Sequence, residues 1–178
     1  MTNSSELHVI IGPMFSGKTT ELINIANRYS SISNVLIINH TLDDRYSTND
    51  LVSHSQIKIP CSYTNNLLSI LPDTDNFDII CINEAQFFEN LYNFCNIILK
   101  KNNKKIYVSG LDGDYNQQKF GEIIDIIPLS NTVQKLNSLC KICNNGTLAH
   151  FTKRLNQYTE QVHIGSDKDY IPVCRTHL

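Results

Sequence analysis

The sequence has no excess of positive charge. Its 15 Lys and Arg face 17 Asp and Glu, for a net charge of −2 and a pI near 6.3. A protein dedicated to coating DNA or RNA would show a basic surplus, so that class is set aside. There is no apolar run approaching the ~18–20 residues of a membrane span. The opening residues, Met1 to Glu6, lack a basic start followed by an apolar stretch, so no secretory signal is visible. Internal repeats and low-complexity tracts are missing as well. These absences lead us to expect a soluble protein of the cytoplasm, or of the host cytoplasm if the chain is viral, with no membrane or nucleic-acid partner.

The composition is that of a folded domain: 41% hydrophobic and 18% charged over 178 residues. Six cysteines occur, Cys61, Cys81, Cys95, Cys140, Cys143 and Cys174. Without a secretory context they read as reduced thiols or metal ligands rather than disulfides. Short apolar runs at 7–11, 35–38, 78–82 and 105–109 read as buried strands. Between them, 18–29 and 86–101 carry helical periodicity, and 65–71 suits a short helix stopped by Pro72. Residues 39–55 read as a long polar loop. Alternating strands and helices give an α/β fold with a parallel sheet. The pattern changes after Pro128, and we divide the chain into a core at 1–138 and a small module at 139–178.

Gly12-Pro13-Met14-Phe15-Ser16-Gly17-Lys18-Thr19 fits G-x-x-x-x-G-K-[ST], after a strand and opening a helix. This P-loop pattern turns backbone N–H groups toward phosphates. Lys18 is placed to reach the β/γ-phosphates of ATP, and Thr19 to ligate Mg²⁺. Glu84 follows the apolar strand at 78–82 directly, where α/β sheets present ligand-binding groups, and suits either a general base toward a substrate hydroxyl or a carboxylate that holds Mg²⁺ through water. Cys140-x-x-Cys143 and Cys174-x-x-His177 form two pairs of ligands suited to a closed, structural Zn²⁺ site. Cys81 and Cys95 lie in apolar runs and read as buried thiols. Asp43-Asp44-Arg45-Tyr46 follows the second strand on the same edge, and reads either as a plain solvated loop or as a site where Arg45 can neutralise a phosphoryl group and Asp43 or Asp44 can assist Mg²⁺ or a sugar hydroxyl. Met14, Phe87, Leu111, Tyr115, Phe120 and Tyr170 are bulky residues near strand ends or in loops. They suit either a base pocket or core packing, and spacing does not choose.

Taken together, the P-loop, Asp43-Asp44-Arg45-Tyr46 and Glu84-Ala85-Gln86-Phe87-Phe88 resemble the type II thymidine kinases. Leu111-Asp112-Gly113-Asp114-Tyr115, Phe120-Gly121, Thr152-Lys153-Arg154-Leu155 and Tyr170-Ile171-Pro172-Val173-Cys174-Arg175 continue the resemblance. It implies a P-loop NTPase-like core with a C-terminal zinc-binding lasso. The implied activity is ATP-dependent phosphorylation of the thymidine 5′-hydroxyl. Glu84 then matches the catalytic base, and Arg45 a residue beside the transferred phosphoryl group. Met14, Phe87, Leu111, Tyr115, Phe120, Thr152, Ile164, Gly165 and Tyr170 match the thymidine pocket. The lasso would run over about 161–173, anchored through Cys174 and His177. A homotetramer inhibited by thymidine triphosphate is also implied.

Two departures from the family pattern stand out. Asn83-Glu84 replaces a common Asp-Glu, which removes a charge that favours Mg²⁺, and Gly165-Ser166 replaces a frequent Gly-Gly. Three other readings stay open at this point: a kinase for a different nucleoside, a zinc-bearing nucleic-acid binder switched by ATP, and a nucleotide sensor without catalysis.

Overall fold

The computed structural model describes residues 4–43, 50–52, 58–163, 165 and 168–178. Six parallel strands form its central sheet. They are β1 (Glu6–Ile11), β2 (Val35–His40), β5 (Ser62–Thr64), β6 (Ile79–Ile82), β7 (Lys105–Gly110) and β8 (Thr132–Lys135), in the order β5-β2-β6-β7-β1-β8. β6 is buried along its whole length, as an apolar strand covered on both faces must be. Between β5 and β2 in sequence lies a small antiparallel ribbon of β3 (Asp50–Val52) and β4 (Lys58–Pro60).

Successive side chains of a strand point to opposite faces, so each strand feeds two packing layers. On one face, α1 (Lys18–Ser30) sets Leu22, Ile23 and Ala26 against Ile37, Ile79 and Cys81. On the other, α2 (Leu91–Leu99) sets Leu91, Phe94, Cys95 and Ile98 against Leu36, Ile38, Ile80 and Val108. The i, i+3, i+4, i+7 spacing of that second set is one helical stripe. The result is the expected α/β fold, a sheet between helices. Because all six strands run the same way, the segments after β1, β2, β6 and β7 emerge on one edge. No helix among the described residues is long and apolar enough to cross a membrane.

Several local readings change. The helix at 86–101 begins only at Leu91, because Glu84 is left-handed (φ 49°) and Phe88 extended, leaving a 3₁₀ turn at Ala85–Phe87. The segment at 65–71 is a 3₁₀ turn over Leu67–Ile70. β3 falls inside the polar loop expected at 39–55, anchored by the buried Leu51. β8 had no apolar signature, since its four residues are exposed at the sheet margin.

Beyond residue 137, two ribbons pair β9 (Ser138–Leu139) with β10 (Leu148–Ala149), and β11 (Phe151–Arg154) with β12 (Tyr170–Val173). They share a small core of Cys140, Ala149, Val173 and Cys174.

Candidate active site

The chain leaves β1 at Gly12, whose φ is 149°, and a Cβ there would strike the Leu136 carbonyl oxygen. Glycine is therefore required for the loop to turn past the residue following β8. Phe15 (φ 63°) and Gly17 (φ 85°) carry the chain into α1. Lys18 is buried, and its Nζ donates to the Pro13 carbonyl at 2.7 Å, with Ser16 Oγ at 3.5 Å. The lysine thus lies against its own loop.

Thr19 Oγ1 donates to Asn83 Oδ1 at 3.3 Å. Asn83 Nδ2 donates to Asn39 Oδ1 at 3.1 Å, and Asn39 Nδ2 to Asp43 Oδ2 at 3.0 Å. Both asparagines are 1% exposed. Two buried amides therefore join the P-loop hydroxyl after β1 to the carboxylate after β2, across the end of β6.

Glu84 sits at the carboxyl end of β6 in a left-handed conformation, which local strain at functional sites often takes. Gln86 Nε2 donates to Glu84 Oε2 at 2.6 Å, and Gln86 Oε1 accepts the Leu111 N–H at 2.9 Å. Gly121 (φ 61°) lies so close to the Gln86 carbonyl that a Cβ would overlap it. Buried Gln86 thus fixes both the carboxylate and the loop after β7. His40 packs edge-on against Phe88 at 4.7 Å and near Phe87 at 5.7 Å. Burial pushes its pKa down, partly offset by the negative charge of Glu84.

A cavity of about 1000 Å³ opens over these loops. Met14, Phe15, Ser16, Gly17, Lys18, Thr19, Asp43 and Glu84 line it, whereas Gly12 and Pro13 of the same loop do not. Phe87, Leu111, Tyr115 and Phe120 form one part of its wall, and Phe87 meets Phe120 edge to face at 5.6 Å. Thr152, Gly165 and Tyr170 line it from the C-terminal module. Thr152 Oγ1 also accepts the Met14 N–H at 2.9 Å, which pins the module to the P-loop. Arg45 and Ile164 lie outside the described residues.

The ligand atoms of Cys140, Cys143, Cys174 and His177 all lie within 4.8 Å of one another. His177 Nδ1 is 3.3 Å from the sulfurs of Cys143 and Cys174 and 3.6 Å from that of Cys140, and Cys143 and Cys174 are 3.7 Å apart. Zn–S bonds of about 2.3 Å in a tetrahedron give S–S edges of roughly 3.8 Å. The set therefore fits a four-coordinate zinc with no open position. It is the only His, Cys and acidic cluster of this kind among the described residues.

A family model described as Thymidine kinase matches residues 5–178. The chain belongs to the thymidine kinase family. A thymidine kinase of Oryza sativa subsp. japonica is 41% identical over 179 residues, covering 97% of this chain and 65% of the rice protein. Thymidine kinase a of Arabidopsis thaliana is also 41% identical, with 98% and 75% covered. The thymidine kinase of Amsacta moorei entomopoxvirus is 39% identical, with 95% of each chain covered. The chain thus spans about two thirds of the rice relative and nearly all of the entomopoxvirus one. Three polar residues in or around this site carried no role in the sequence reading: Asn39, Gln86 and Arg154. Asn39 and Gln86 follow or adjoin apolar stretches, and their only signal is a polar residue where burial is expected.

Proposed function

We propose that this chain transfers the γ-phosphoryl group of ATP to the 5′-hydroxyl of thymidine, giving thymidine monophosphate. The observation that carries this is one cavity lined by the P-loop, by Glu84 and by an aromatic wall from two loops and the C-terminal module. The triphosphate lies on the P-loop amides and Lys18, whose ammonium leaves the Pro13 carbonyl to meet phosphate oxygens. Thymidine lies between Phe87, Phe120 and Tyr170, with its 5′-OH toward Glu84. Glu84 accepts the hydroxyl proton as the oxygen attacks the γ-phosphorus and the bond from that phosphorus to the bridging oxygen breaks, releasing ADP, while Gln86 holds the carboxylate in place. Arg45 and Lys18 neutralise charge on the equatorial oxygens. Most of the acceleration comes from positioning and electrostatics, because a loose transition state asks for little covalent help.

Thr19 and Asp43 are the residues that would hold Mg²⁺, which supplies charge neutralisation on the phosphates. Their link through Asn83 and Asn39 supports that pairing. Cys140, Cys143, Cys174 and His177 would hold a structural zinc. We also assign the chain to the cytoplasm, a homotetramer and feedback by thymidine triphosphate, in keeping with the family. Neither nucleic acid nor membrane is a partner in this reading. Residues 1–138 act as the nucleotide-binding core and 139–178 as the substrate-covering module.

The test incubates zinc-loaded protein with ATP, Mg²⁺ and either thymidine or deoxycytidine, with Glu84→Gln in parallel. Thymidine monophosphate formed from thymidine and lost in the variant is the expected result. ATP binding without any nucleoside product would overturn the reading in favour of a sensor.

A further inference from the structure

Arg154 closes β11 and stands opposite Tyr170 of β12. Its guanidinium is almost fully buried. An arginine carries five N–H donors in a planar fork, and each has an acceptor here. Nε and Nη2 donate to the Tyr170 hydroxyl at 3.1 and 2.7 Å. Nη1 donates to the carbonyls of Tyr158 and Glu160 at 2.8 and 2.7 Å, and Nη2 also to that of Gln161 at 3.4 Å. The Tyr170 hydroxyl in turn donates to the His163 carbonyl at 2.9 Å. One face of the guanidinium stacks on Tyr115, 3.8 Å from the ring centroid. Arg154 does not itself line the cavity, but Tyr115, Tyr170, Gln161 and His163 do.

The zinc ligands lie at the other end of this ribbon. Phe151 pairs with Val173, beside Cys174, three residue steps from the Arg154–Tyr170 pair. At about 3.3 Å per step that is roughly 10 Å. Zinc therefore fastens the base of the ribbon, while the mouth of the loop between Leu155 and Asp169 is closed by Leu155 N–H on the Asp169 carbonyl (2.8 Å) and by Arg154.

We infer that Arg154 is a positioning residue for the nucleoside, the clasp that shapes the loop after β11 and sets the Tyr115 and Tyr170 walls. It rests on the thymidine reading above, and it separates two jobs that the metal alone would otherwise perform. A lysine at 154 keeps the charge but not the planar fork, so it cannot serve four acceptors and stack on Tyr115 together.

The experiment compares the zinc-loaded wild type with Arg154→Lys and Arg154→Gln. It measures KM for thymidine and for ATP, zinc content, and amide hydrogen exchange over 155–163. The expected result is a thymidine KM raised about 10- to 100-fold, through lost positioning of the base. ATP KM and zinc content stay near wild type, and exchange over 155–163 accelerates. Unchanged thymidine KM and unchanged exchange in both variants would overturn the clasp. So would equal losses for ATP and thymidine, or loss of zinc, which mark a structural role. If the wild type does not act on thymidine, the exchange readout still decides the clasp, and only the substrate reading fails.

Discussion

Gln86 and Glu84 share a 2.6 Å hydrogen bond, with the amide donating and the carboxylate accepting. The other end of the same amide accepts the Leu111 N–H. One buried side chain therefore orients the carboxylate of Glu84 and ties it to the loop that carries part of the aromatic wall. This relationship gives the Glu84 carboxylate a fixed aim, which supports the proposed role of Glu84 as the base.

Glu84→Gln is expected to lower turnover by about 10²–10⁴-fold with ATP binding largely kept. Gln86→Glu is the sharper probe. It leaves an acceptor for Leu111 but sets a second carboxylate against Glu84, and a like charge disfavours ionisation. The acidic limb of the kcat/KM profile should then move to higher pH. A Gln86→Glu profile that overlays wild type would show that Gln86 does not act on Glu84.

The chain of donors from Thr19 to Asp43 has one direction. Thr19 gives to Asn83, Asn83 to Asn39, and Asn39 to Asp43. An aspartate at 83 would still accept from Thr19, but it has nothing to donate to Asn39. Turning the Asn39 amide over would then set its oxygen against Asp43. Asn83→Asp should therefore destabilise the protein by about 1–3 kcal/mol, the cost of a buried polar group left unpaired. Urea unfolding in Mg²⁺-free buffer measures this. A more stable Asn83→Asp protein would mean that the amide chain is not what accommodates Asn83.

Much of this was legible in the chain itself. β1, the P-loop and α1 follow from an apolar run, two glycines and a helical stripe, all local signals. The paired Cys and His ligands are also local, because each pair grips from one turn. What escaped was long-range. β8 is held by its backbone pairing to β1 and has no buried side chain to betray it. The helix expected from Gln86 starts late because Glu84 takes a left-handed turn at the site. Asn39 and Gln86 join a near carboxylate, Asp43 or Glu84, to a distant group at Asn83 or Leu111, and Arg154 gathers Tyr170 and carbonyls that have no residue signature, so no spacing rule finds them.

Chelation should divide the cysteines into two classes. Cys81 and Cys95 are buried in the sheet and α2 layers, and burial pushes both thiols up to about 12. Cys61 is half-buried and pushed up to about 11. A thiol attacks only as thiolate, so none of these three reacts readily at pH 8. With zinc bound, Cys140, Cys143 and Cys174 are protected as well. A strong chelator should therefore expose these three to iodoacetamide in the folded protein, read by peptide mass spectrometry, with Cys81 and Cys95 unmodified until urea unfolds the core. Labelling of Cys140, Cys143 and Cys174 before chelation, in metal-replete protein, would argue against the zinc site.

His40 gives the acid side of the stability curve a defined sign. Its Nδ1 accepts the Leu42 N–H at 3.0 Å, which requires the neutral ring at that nitrogen. Protonation would orphan that donor and place a cation beside Phe87 and Phe88, with Glu84 as the charged group that favours it. The folded pKa is lowered by burial, so the contribution of His40 is fully present above the unfolded value near 6.5 and is lost as pH falls toward the folded value. His40→Gln should flatten the fall in stability below about pH 6.5. Glu84→Gln should do the opposite: without the opposing charge the folded pKa of His40 drops further, and the fall becomes steeper. Denaturant unfolding from pH 8 down to pH 5 resolves both slopes, and identical acid limbs in the two variants would remove His40 as their source.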